Sequence, residues 1–140
     1  MNNRLERLKE IMRSGNFTCV IETTNELLTS VQRGVKPLLE FLDSGKNFKG
    51  AFASDKVIGK AAAFIYAKLG VDGIYTDVIS EPALEVLTAH SVNVEYAELV
   101  KVIRNRSGDG FCPMESAVLE INGVDEAIAT MKIRLAELSK

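Results

Sequence analysis

Residues 50–100, GAFASDKVIGKAAAFIYAKLGVDGIYTDVISEPALEVLTAHSVNVEYAELV, switch repeatedly between two kinds of segment. GAFAS, GIYTDVIS and VNVEYAELV are short, rich in β-branched or aromatic residues, and bounded by turn formers, as strands are. KVIGKAAAFIYAKLG and EPALEVLTAHS carry apolar residues at helical spacing, and each ends in a residue that stops a helix. Strand, helix, strand, helix, strand at this pitch implies parallel strands, because only a crossover of a dozen residues or more can return the chain to the same edge. Helices must then cover the sheet, so the class is α/β, a three-layer α/β/α sandwich.

Ahead of this block, Leu5, Leu8, Ile11 and Met12 share one side of a helix that Ser14-Gly15-Asn16 stops. FTCVIET and the strand within TNELLTSVQRG then form an antiparallel hairpin, which makes the sheet mixed. GVKPLLEFLDSG carries Pro37 near its start and a Gly at its end, the punctuation of a short helix. After residue 100 comes a polar loop, a helix opening near Cys112 or Pro113, and a last helix on which Ala127, Ile128, Met131, Leu135 and Leu138 line one face.

The chain of 140 residues has room for one core, and the expectation is a single domain over residues 1–140. Its 46% hydrophobic and 26% charged residues are those of an ordinary globular protein. No apolar run is long enough for a membrane span, and the first residues lack the apolar block of a secretory signal, so the expected place is the cytoplasm. Seventeen basic residues against nineteen acidic give a net charge of −2. With aromatics at 6% and no tryptophan, both the electrostatic and the stacking grounds for a nucleic-acid partner are weak. Cys19 and Cys112 form no CxxC pair, which argues against a disulfide framework or a redox motif. The apolar stripes on the terminal helices serve a monomer's core or a homo-oligomer's interface equally.

In an open α/β sheet, ligands collect beyond the carboxyl ends of the strands. The loops expected there are Ser54-Asp55-Lys56, Ser80-Glu81 and the segment after Val102. In ASDKVIGKAAA, Ser54 or Asp55 stands where a helix cap would be. The alternative is that Asp55, Lys56, Lys60 and the helix amino terminus hold an anion, with Gly59 allowing close approach. A phosphate P-loop is excluded, since Ser54 replaces its first glycine and Ala61 the hydroxyl residue after the lysine. His90 ends a helix and has no orienting partner nearby in sequence, which favours a bond to the last carbonyls over catalysis.

NRSGDGFCPMES, residues 105–116, is the second candidate. Pro113 at the first helical position would put Cys112 at the N-cap and Glu115 three residues on, the spacing of a capping box. A thiol caps less well than Ser or Asp, so Cys112 is read as a cap, a ligand contact or a nucleophile, with Glu115 as a catalytic partner. Asn105 and Arg106 fit a polar anchor for a planar or anionic ligand, or a solvated loop. His90, Cys19 and Cys112 are ligand types of zinc deaminases, yet neither HxE nor PCxxC occurs, and the sequence calls for no metal and no cofactor.

SDKVIGKAAA, the pair NR with CPMES a few residues later, and the order of elements together resemble the family known as domain of unknown function 1893, over nearly the whole chain. The resemblance implies a cytidine deaminase-like fold, a three-layer sandwich begun by a hairpin. It also implies that the zinc-binding HAE and PCxxC segments of that superfamily would fall near Val35-Lys36-Pro37 and between Asp55 and Gly59, where this chain has no ligand set. The functional expectation is a metal-independent domain binding a small anionic or nucleotide-like metabolite. Its alternatives are an enzyme using Cys112 or Glu115, or a structural protein with a vestigial site.

Overall fold

The computed structural model describes residues 3–103 and 113–138. Along the chain run α1 (Asn3–Ser14), β1 (Cys19–Glu22), β2 (Leu27–Ser30), α2 (Lys36–Asp43), β3 (Phe52–Ile58), α3 (Lys60–Leu69), β4 (Gly73–Ser80), α4 (Glu81–Ala89), β5 (Asn93–Val100), α5 (Pro113–Val118) and α6 (Val124–Leu138). The five strands make one mixed sheet in the order β2-β1-β3-β4-β5. β1 pairs antiparallel with both β2 and β3, while β3, β4 and β5 run parallel. The hairpin, the parallel block and the mixed α/β class expected from periodicity are all present.

Strand alternation sorts the two cores. Val20 points with Tyr75 to one face, where Leu5, Leu8 and Met12 of α1 bury completely. Each such side chain contributes about 2 kcal/mol by leaving water. Cys19 and Ile21, the neighbours of Val20, face the other way into the larger core shared with α2, α3, α4, α5 and α6. α1 is further tied to the sheet by Ser54, whose Oγ donates to the Leu8 carbonyl at 3.0 Å. Arg4 and Arg7 both pair with Glu22 at the surface.

α3 is the most completely buried of the described helices. Ala61, Ala62 and Ala63 are all buried, as are Phe64, Ile65 and Tyr66, so this helix is apolar nearly all round. Three alanines in its first turn favour the helix and leave room for the neighbouring helices α4 and α6. Gly70, at φ +83, closes the helix in the left-handed conformation.

One boundary differs from the sequence expectation. The segment KVIGKAAA was expected to be helical from Lys56, with Ser54 or Asp55 as the cap. Instead β3 continues through Ile58, and α3 begins at Lys60 with Gly59 as its N-cap. The β-branched Val57 and Ile58 pair in register with Val78 and Ile79 of β4, and that tertiary pairing outweighs the local helical spacing. Ser54 and Asp55 therefore lie inside a strand and cap nothing.

Candidate functional site

β3 ends beside the start of β1, because the two run antiparallel, and the chain turns there into α3. α2 begins above the same point. Between them lies a cleft of about 1100 Å³. Its walls are Asn16, Thr18 and Cys19 before and in β1, residues 31–35 leading to α2, Asp55, Lys56 and Val57 of β3, Gly59, Ala61 and Ala62 at the start of α3, and Pro113, Met114 and Glu115 of α5. The two segments singled out in the sequence, around Gly59 and around Pro113, thus meet across one concavity.

Glu115 forms that junction. Its Oε1 accepts the amide hydrogen of Lys60 at 2.7 Å, and its Oε2 accepts that of Ala61 at 2.8 Å. Two of the unpaired amides of α3 are satisfied by a carboxylate from another helix. Both oxygens of Glu115 are directed at α3, while the capping box expected within its own helix rests on Cys112, outside the described residues. Gly59 makes the approach feasible: a Cβ there would lie 2.4 Å from the Glu115 carboxyl. Burial pushes the Glu115 carboxyl above the usual range, while the two amides and the Lys60 charge pull it back.

Lys60 returns the contact. Its Nζ donates to the carbonyl of Leu119, just past the end of α5, at 2.8 Å and lies 5.7 Å from the Phe64 ring centre. A cation at that end also suits the helix dipole. The Lys60 helix start thus holds an anion of the chain itself, the Glu115 carboxylate, and the Lys60 ammonium is directed to Leu119. Lys56 stays at the cleft, its Nζ donating to Asn16 Oδ1 at 3.3 Å. His90 behaves as expected of a helix end, with Nδ1 2.8 Å from the Val86 carbonyl. Asn105, Arg106 and Cys112 lie outside the described residues.

The floor of the cleft holds Asp55, which the sequence singled out, together with Cys19 and Tyr66, which it did not place there. Asp55 and Cys19 are direct register partners across β3 and β1. Asp55 is 9% exposed. Its Oδ2 accepts the Tyr66 hydroxyl at 2.6 Å, and its Oδ1 accepts the Val57 amide at 3.2 Å. Burial pushes the Asp55 carboxyl up to about 7, opposed by the Tyr66 and backbone hydrogen bonds. Burial also pushes up the Cys19 thiol, and the nearby Asp55 charge adds to it. Tyr66, fully buried, is raised well above its ordinary value by burial and by Asp55. One signal for Tyr66 was present in the sequence: it stands one helical turn beyond Ala62, which lines the cleft. Nothing local announced Cys19, whose place depends on strand register.

Zinc does not fit the described part of this site. Where α2 starts the chain has Val35, Lys36 and Pro37, and at the head of α3 it has Gly59 and Lys60. Among the described residues no three His, Cys, Asp or Glu side chains come together as a metal would require.

Comparison with solved structures agrees with the topology. A crystal structure of a DUF1893 family protein, TM1506 from Thermotoga maritima, superposes with a TM-score of 0.85 at 28% identity, over 98% of this chain and 92% of that one. The apo dCMP deaminase of cyanophage S-TIM5 superposes with a TM-score of 0.50 at 15% identity, over 69% of this chain and 99% of the deaminase. This second likeness is one of fold. No curated protein matches the sequence. The family model for the domain of unknown function DUF1893, TM1506, matches residues 7–135, and the chain belongs to that family.

Proposed function

We propose that this protein binds a small nucleotide-like metabolite in the cleft at the end of β3, without a metal ion. The observation that carries the reading is the polarity of a single concavity. A buried carboxyl, Asp55, lies at its floor, and the cations Arg33 and Lys56 are among its walls, Arg33 exposed and Lys56 half-buried. A ligand with a heterocycle at one end and an anionic group at the other matches that order. Val31, Val57, Leu38 and Met114 supply apolar walls for a flat ring.

The volume is ample for a mononucleotide, and well-formed concave sites with a few convergent polar groups are where such ligands bind. Thermal unfolding with AMP, GMP, CMP, UMP and ribose 5-phosphate tests the proposal. A ligand at roughly 100 times its Kd stabilises by about 2.7 kcal/mol, a shift of several degrees in a chain of this size. Arg33→Ala and Lys56→Ala should reduce the shift. No shift with any of the five, or an undiminished shift in both variants, would refute it.

A further inference from the structure

Asp55 is placed oddly for a residue with a purely structural task. Its carboxyl is buried at the floor of a cleft, yet no ion pair joins it among the described residues. β1 presents Cys19 to it, α3 presents Tyr66, β4 contributes Asp77, itself paired with Arg13 of α1 at 3.0 Å, and α5 adds Glu115 to the same cleft. The adjacent Lys56 directs its ammonium to Asn16. The side chains in direct contact with Asp55, Cys19 and Tyr66, carry no positive charge, and the wall cations Arg33 and Lys56 form no ion pair with it.

Each carboxyl oxygen already accepts one bond, from Tyr66 or from Val57, and each keeps a second position. A proton on one of those positions turns the group into a donor. We infer that Asp55 meets the ligand as a neutral carboxylic acid and donates its O–H to a lone pair on the heterocycle, a ring nitrogen or a carbonyl oxygen, so that binding takes up a proton. This rests on the nucleotide-like reading and adds a specificity: the bound edge must offer an acceptor to Asp55. The raised carboxyl described above agrees with it, since the ionised and neutral forms coexist near pH 7.

The proton comes from solvent and resides on Asp55 in the complex. Affinity therefore falls as pH rises above 7, by up to about tenfold per unit. Asp55→Asn removes the titration while keeping an N–H donor and an oxygen to accept from Tyr66, at the loss of the Val57 bond. Calorimetric titration of the wild type and this variant with AMP, GMP, CMP and UMP at pH 6, 7, 8 and 9 reads the difference. The phosphate's own ionisation near pH 6 is common to both proteins and cancels in the comparison.

The expected result is an affinity in wild type that drops across pH 7–9, with the variant's profile flat over that range. Carbon-13 NMR of the wild-type aspartate carboxyls should also show the Asp55 midpoint moving upward when ligand is added, and this needs no variant. Binding with identical pH profiles in the two proteins, or a midpoint unmoved by a bound nucleotide, overturns the inference and leaves the binding reading intact. No binding by any nucleotide at any pH overturns both.

Discussion

Glu115 and Lys60 are joined twice: the Glu115 carboxylate accepts the Lys60 amide, and the Lys60 ammonium reaches the carbonyl of Leu119 beyond the helix that carries Glu115. The short helix α5 is thereby held near both ends to α3. Glutamine in place of glutamate offers one acceptor and one donor where two acceptors are needed. Glu115→Gln should cost about 1–3 kcal/mol, and Glu115→Ala at least as much, read as a fall in denaturation midpoint without a change in m-value. An unchanged midpoint for both variants would mean that the cap carries no stability.

Gly59 is explained by the same carboxylate and not by its backbone, whose φ of −96 any residue can adopt. A methyl at 2.4 Å from the Glu115 carboxyl must displace it. Gly59→Ala is expected to destabilise by about 1–3 kcal/mol. Because the clash needs both partners, adding Gly59→Ala to Glu115→Ala should cost far less than adding it to wild type. Equal costs in the two backgrounds would place the strain elsewhere.

Asp55 sets a pH dependence whose direction follows from where its proton sits. Folding raises its carboxyl from 3.8 to about 7, so between those values the folded state binds more proton than the unfolded state. Stability then declines as pH rises from about 4 to 7 and is level above, with a total effect of at most about 4 kcal/mol from this group. Asp55→Asn keeps an acceptor for Tyr66 but turns an N–H toward the Val57 amide, so it should be about 1–3 kcal/mol less stable than wild type near pH 4–5, with the gap closing as pH rises to 8. Urea midpoints at a series of pH values check this, and a gap between variant and wild type that does not narrow from pH 5 to pH 8 would contradict it.

The architecture was open to reading from the sequence because it depends on period and punctuation. The apolar spacing of α1, the hairpin around Asn25 and the alternation from residue 50 onward all reappear in the fold. The meeting of the Gly59 and Pro113 segments followed from the rule that loops gather at strand ends. The chemistry of that meeting did not follow. That Glu115 caps α3 is decided by packing of α5 against α3, which leaves no trace in local spacing. The Cys19–Asp55 pairing is decided by register, and a slip of one residue would have sent Asp55 to the opposite face. Val57 and Ile58 were assigned to a helix because local pattern carries no information about the β4 partner that holds them extended.

Cys19 should be unreactive in the folded protein. It is 4% exposed on the cleft floor, and burial together with the Asp55 charge raises its thiol, against a smaller opposing hydrogen bond with Tyr66. Only a thiolate attacks a disulfide reagent, so the folded protein presents almost none at pH 8. In a Cys112→Ser variant, where Cys19 is the sole thiol, labelling by Ellman's reagent should be negligible in the native state and complete in denaturant. Intermediate urea should raise the rate in step with the unfolded fraction, since access comes through opening. Fast native labelling would show that the Cys19–Asp55–Tyr66 cluster opens to water readily. Slow labelling has a further use: any fast thiol in the wild-type protein must then be Cys112, which turns the same reagent into a direct measure of whether that residue has the low pKa a nucleophile needs.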